Sequence, residues 1–204
     1  ENVIKGNKMK YYISDLHIGC INNHDNRTLE HDILLLNNWN SIVNNNDDIY
    51  ILGDIGRLGN NKENAYVASI ISQLKGKKHL IIGNHDKKGL KDNRINQLFV
   101  NIKDYDVIGD NNNGINYNIV LSHYPILFWE NQHKGYIHLY GHVHNSEEDN
   151  IYKKCLEEVN LFFKKEETKG RTDCPRAFAY NVGAMLDNFN YTPKSIKQIV
   201  DNYN

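Results

Sequence analysis

Five short apolar runs, each breaking off into a burst of chelating side chains, limit what this chain can fold into more than any other feature. Residues 10–14 run into Asp15-Leu16-His17, residues 48–52 into Gly53-Asp54, and residues 79–82 into Gly83-Asn84-His85-Asp86. Farther on, residues 119–121 lead into Ser122-His123 and residues 136–140 into Gly141-His142-Val143-His144. Runs this short, rich in Ile, Leu, Val and Tyr, suit buried strands better than helices.

The stretches between them have a different period. Residues 28–44 carry Leu29, Ile33, Leu36, Trp39, Ile42 and Val43 at spacings of three and four, which predicts an amphipathic helix. Residues 63–74 repeat the pattern through Tyr66, Val67, Ile70, Ile71 and Leu74, and Gly76 follows as a stop. Alternating strands and helices imply right-handed parallel crossovers. Residues 106–108 and 115–121 flank the turn-forming stretch 109–114, which predicts a hairpin and a second sheet with antiparallel pairing. Residues 150–167 form one amphipathic helix with Ile151, Cys155, Leu156, Val159, Phe162 and Phe163 as its apolar stripe. The charged segment 146–173 around it is either a helix packed on the domain edge or a lid or dimer-forming insertion. Residues 176–182 are predicted strand, and 193–203 a closing helix with Pro193 near its start.

A chain of 204 residues is long enough for one well-buried domain, read as residues 9–204. Residues 1–8 are polar, precede Met9, and read as a leader or cloning remnant. A formal charge of −1 argues against a protein that coats nucleic acid by bulk electrostatics, although cations in a site can hold phosphate without a basic surface. No apolar run reaches the roughly 18–20 residues that cross a bilayer. Cys20, Cys155 and Cys174 are odd in number and lack metal-type spacing, which favours a reduced, cytoplasmic setting.

In an open sheet, ligands collect at the carboxyl ends of strands, where neighbouring loops converge. Of the ten histidines, His24, His31, His79, His133 and His138 fall outside the five bursts, and the other five all fall inside them. One histidine after a strand is ordinarily structural; an ordered series of strand ends bearing Asp, His and Asn is a ligand set. Those donors suit manganese, iron, zinc or nickel, and the absence of thiolates argues against a structural zinc site. One carboxylate such as Asp54 can bridge two ions. A pair roughly 3.5–4 Å apart polarises a phosphoryl oxygen and acidifies a shared water, so the set points to phosphoryl more than acyl chemistry.

The five bursts match, in order, the five motifs of calcineurin-like metallophosphoesterases, and the span from Asp15 to His144 resembles that family. Trp39-Asn40, residues 74–79, His123-Tyr124-Pro125 and Asn181-Val182-Gly183 resemble a compact bacterial and phage branch of it. The resemblance implies an α/β, four-layer α-β-β-α sandwich of two mixed sheets flanked by helices. It also implies hydrolysis of a small phosphomonoester, phosphodiester or nucleotide by hydroxide formed at two divalent ions. Carried over by position, Asp15, His17, Asp54 and His144 would hold one ion, and Asp54, Asn84, His123 and His142 the second. His85 would be the non-ligand acid beside the leaving oxygen. Asp86 would orient its ring or cap a turn. Asn84 and His85 would touch substrate.

Two departures from the family stand out. Arg57 lies one position earlier than the arginine of the phosphoprotein phosphatases, so it is either a phosphate contact or an exposed loop residue. Cys20 stands where related small members carry histidine, as a packing residue near the site or an active-site thiol. The implied partner is a small phosphate ester, with no membrane. A non-catalytic scaffold and a DNA nuclease are the rival readings, disfavoured by the complete motif set and the balanced charge.

Overall fold

The computed structural model describes residues 8–21, 27–112, 114–167 and 176–202. His24, Cys174 and residues 1–7, which include most of the expected leader, lie outside that set. Every residue of β2 (Asp48–Ile51) is buried, as a parallel strand covered on both faces requires. It pairs with β1 (Lys10–Ile13) on one side and β3 (Lys77–Ile81) on the other, and β3 pairs with β4 (Asn101–Lys103). The second sheet runs β5 (Tyr105–Asn112), β6 (Ile115–Ser122), β7 (Ile137–Tyr140) and β8 (Ala179–Asn181); β5 and β6 are antiparallel and the rest parallel.

Two four-stranded sheets flanked by helices make the α/β sandwich expected from the sequence. Its second sheet is mixed. The first is parallel throughout its named strands, with one isolated antiparallel bridge from Tyr12 to Lys194. The short β4 went unforeseen because Ile102 is its one apolar residue. In the hairpin, β5 extends through residues 109–112, which were expected to turn. Tyr12 donates to Asp110 across the sheets at 2.9 Å, a buried bond that gives this polar stretch a reason to stay extended.

α1 (Leu29–Ile42) starts where Thr28 caps it, accepting from the Glu30 amide while His31 accepts from the Thr28 amide. It buries Leu35 and Trp39, and the Trp39 indole donates to the Lys75 carbonyl at 2.9 Å. α2 (Asn61–Gln73), capped by Asn60, buries Val67 and Ile71. Short α3 (Asn93–Asn96) and α5 (Ile196–Asn202) complete this half, with Ile199 buried in the core that also holds Ile13, Leu80 and Leu139.

α4 (Glu147–Glu167) buries Tyr152, Leu156 and Val159, whereas Ile151, Cys155 and Phe162 are exposed, so its apolar stripe is rotated from the expected one. Leu156 packs with Val120 and Trp129, and Tyr152 with Tyr140 and Val143. Polar anchors set this rotation: Tyr140 donates to Asp149 at 2.8 Å and Tyr152 to the Ile126 carbonyl at 2.9 Å. Among the described residues no helix is long and apolar enough to cross a membrane.

Candidate metal centre

The loops after β1 and β2 run side by side, tied by bonds from Asp15 N to Gly53 O, His17 N to Asp54 O and Ile18 N to Ile55 O. The second sheet joins them through Ser14 N to Val182 O, and His123 O accepts from Gly141 N. The carboxyl ends of both sheets therefore meet in one place.

Two groups of donor atoms converge there, each within 4.8 Å: Asp15, His17 and His144, and Asp54, His123 and His142. They adjoin each other. The His142 amide donates to Asp15 Oδ2 at 3.0 Å, and the His123 and His142 rings lie 5.1 Å apart. Asn84 joins the second group, its Oδ1 2.9 Å from His123 Nε2. Asp54 stands with that second group, while its charge also raises the buried Asp15 carboxyl, whose chief perturbation is loss of water.

The backbone is strained at the same place. Asp15, His17, Asp54, His142 and His144 have φ of 56°, 47°, 54°, 71° and 49°, five of the eight described non-glycine residues with positive φ. Such left-handed conformations cost about 1–2 kcal/mol each in an L-residue, and they gather where the surroundings enforce a functional geometry. Glycines let the loops close in. A Cβ on Gly83 would sit 2.3 Å from Asp54 Oδ1, and one on Gly53 would sit 2.5 Å from His123 Nδ1.

These residues fit a divalent cation. Ligand atoms about 2.0–2.1 Å from an ion stand roughly 3.4 Å apart in a tetrahedron. Here His17 Nε2 and His144 Nε2 are 3.3 Å apart, each lies 3.9 Å from Asp15 Oδ1, and His123 Nε2 is 3.6 Å from Asp54 Oδ2. His123 Nδ1 is 2.7 Å from the Leu52 carbonyl, which can only accept, so the proton is on Nδ1. In the neutral ring Nε2 is then an acceptor facing another acceptor, Asn84 Oδ1, and a cation against both lone pairs relieves that repulsion. Burial first, then Arg27 and the neighbouring imidazoles, pushes His17 down to about 2. Burial and His123 also lower His142. Neutral imidazoles are the form that ligates metal.

Three of the histidines outside the bursts have structural work. His31 caps α1, His79 lies 3.1 Å from Asp48, and buried His138 accepts from the Ile126 amide at 3.1 Å.

The hydrogen bonds of the Asp86 carboxylate go to backbone amides. Its Oδ2 accepts from Gly83 N at 2.7 Å and Asp54 N at 2.9 Å, and its Oδ1 from Ile55 N at 2.9 Å. The carboxylate clamps the second motif loop to the third, the turn-capping alternative. Asp86→Asn turns one accepting oxygen into a donor facing an amide, and is expected to cost about 1–3 kcal/mol. A lower urea midpoint at constant m would show it, and an unchanged midpoint would contradict it.

His85 is open to solvent, with 63% of its side chain exposed and Nε2 3.9 Å from Asp54 Oδ2. Arg57 pairs with Glu63 at 2.7 Å on the rim of α2, with most of its side chain exposed. Cys20 is half-buried and burial raises its thiol pKa, which suits packing better than nucleophilic chemistry. Sequence reading overlooked Arg27. Only 8% exposed, it reaches within 3.4 Å of His144 Nδ1 and lies against Met185 Sδ.

No family model matches the sequence. It is 30% identical over 156 residues to the Gene 66 protein of Mycobacterium phage D29, an overlap covering 66% of this chain and 78% of that protein. It is 38% identical over 81 residues to the Gene 66 protein of Mycobacterium phage L5, covering 37% of this chain and 39% of that one. Among solved structures, a protein of unknown function from Aquifex aeolicus, AQ665, is similar with a TM-score of 0.62 at 25% identity, over 97% of this chain and 100% of that one. The phosphopantetheinyl hydrolase PptH of Mycobacterium tuberculosis overlaps 57% of this chain and 42% of its own at 14% identity and a TM-score of 0.36, too slight to bear on chemistry.

Proposed function

The chain belongs to the same family as the Gene 66 protein of Mycobacterium phage D29, a kinship that names no chemistry; from the site itself we propose a hydrolase of phosphate esters working with two divalent cations. The observation that carries this reading is the pair of adjoining donor groups, Asp15, His17 and His144 beside Asp54, His123 and His142. The ordered motifs and their resemblance to calcineurin-like metallophosphoesterases support it.

Asp15, His17 and His144 would hold one cation, and His123, His142, Asn84 and Asp54 the other. Bound there, the pair would polarise a phosphoryl oxygen and acidify a water. The chain's own groups do the rest. Leu52 O fixes the His123 tautomer, so its Nε2 lone pair points inward. The Asp86 clamp holds Asp54 and Gly83 together, which sets Asn84 and His85 in position. Arg27 lies beside the first donor group, where its guanidinium would attract a phosphate oxygen next to His144. His85 gives the proton on Nε2 to the leaving oxygen. Its solvent exposure lets it be reprotonated between turnovers.

The test is turnover of p-nitrophenyl phosphate and bis-p-nitrophenyl phosphate by protein loaded with Mn²⁺, Fe²⁺, Ni²⁺ or Zn²⁺. Hydrolysis of at least one ester, abolished by chelator and restored by metal, is expected. Metal-loaded protein that leaves both esters intact would instead be a scaffold, and the proposal would be wrong.

A further inference from the structure

A cavity of about 290 Å³ opens directly off the second donor group, sharing Asn84 and His123 with it. Gly83 and Ser122 of the same bursts also line it, and its remaining walls, Asp104 among them, come from residues outside the bursts. Tyr105, the first residue of β5, and Tyr124, two residues beyond β6, supply aromatic walls, Ile126 an apolar one, and Lys87 a positive charge. Both tyrosines are partly open, 37% and 49% exposed, although aromatic rings are costly to leave in water.

Neither ring is loose. Tyr124 packs edge-on against His123 and His142, with centroids 5.0 and 4.5 Å away, and its carbonyl accepts from Ser122 Oγ at 2.6 Å. Tyr105 is held by its pairing with Ser122 in the β5–β6 ladder. Flat apolar walls at fixed positions recognise flat apolar ligands. A cavity of about 150 Å³ is enough for benzene, so this one has room for a larger ring system.

Because the cavity begins at Asn84 and His123, an ester held at the second donor group has room to lay one of its substituents there. We propose that the cavity is the subsite for that substituent and that the natural ester carries a flat aromatic ring system there, as an aryl phosphate or a nucleotide does. This rests on the phosphoesterase reading, which could hold without it.

The experiment measures binding and turnover separately. Metal-loaded protein is titrated with 1-naphthylphosphonate, a fluorescent probe with no ester bond to break, and with methylphosphonate as competitor. The aryl probe is expected to bind at least about tenfold tighter, the usual scale of ring stacking. Tyr105→Ala should reduce that preference to about threefold or less, whereas Tyr105→Phe keeps most of it. Equal affinity for the two phosphonates, or a preference that survives Tyr105→Ala, would overturn the subsite. Failure to bind either would sink the phosphoesterase reading as well. Hydrolysis of glycerol phosphate alongside equal phosphonate binding would sink the subsite alone. Turnover then separates the sources: a higher kcat/KM for 1-naphthyl phosphate assigns an aryl ester, a higher one for adenosine monophosphate a nucleotide. Glycerol phosphate ahead of both would overturn the inference.

Discussion

Asp54→Asn is expected to lose at least one of two bound cations per chain and to slow ester hydrolysis by more than about 10²-fold, beyond the loss usual for residues that only support ligands. Asparagine is the informative replacement because Asp54 has φ of 54°. Asparagine tolerates that conformation, whereas alanine would add strain and confuse ligand loss with a misfolded loop. The amide oxygen can keep the bond that Asp54 Oδ1 accepts from His85 N at 3.0 Å. What changes is the atom facing His123 Nε2 at 3.6 Å, from a charged oxygen to an NH₂ with no lone pair for a metal. Elemental analysis of dialysed, manganese-loaded protein gives the ion count, and urea unfolding checks that the fold is intact. Two ions retained, or activity undiminished, would remove Asp54 from the cation ligands.

The choice of asparagine illustrates what a sequence does and does not disclose. The ligand types were legible because a strand of Ile, Leu and Tyr cannot continue through Asp15 or Asp54, so each burst marks a strand end. The helices were legible from their spacing, and Thr28 and Asn60 cap them close to the expected starts. The backbone was not legible: nothing in the letters says that five of these residues adopt positive φ, since packing of one loop against the next enforces it.

The alternatives for Asp86 stayed open, and Arg27 was missed, for a related reason. The partners of Asp86 are backbone amides at positions 54, 55 and 83, and backbone groups carry no letter of their own. Arg27 and His144 are separated by 117 residues, and their contact depends on how the two sheets meet. The rotated stripe of α4 has the same origin. Asp149 lies just before the expected helix start, and the bond it accepts from the Tyr140 hydroxyl fixes the first turn so that Tyr152 and Leu156 face the sheet.

His85→Ala separates proton transfer from cation binding. The variant should keep both cations and lose about 10²–10⁴-fold in kcat, the usual contribution of a positioned acid. Its imidazole is mostly exposed and meets Asp54 only at 3.9 Å, so removing it leaves the donor groups standing. Its backbone amide, which holds Asp54 Oδ1, is retained by alanine. The size of the loss should depend on the ester. An acid matters in proportion to how poorly the leaving group bears negative charge, so an alkyl phosphate should suffer more than p-nitrophenyl phosphate. A merely structural role would slow both esters equally. Equal losses, or metal loss matching that of Asp54→Asn, would place His85 among the residues that build the site and leave the leaving oxygen without its proton donor.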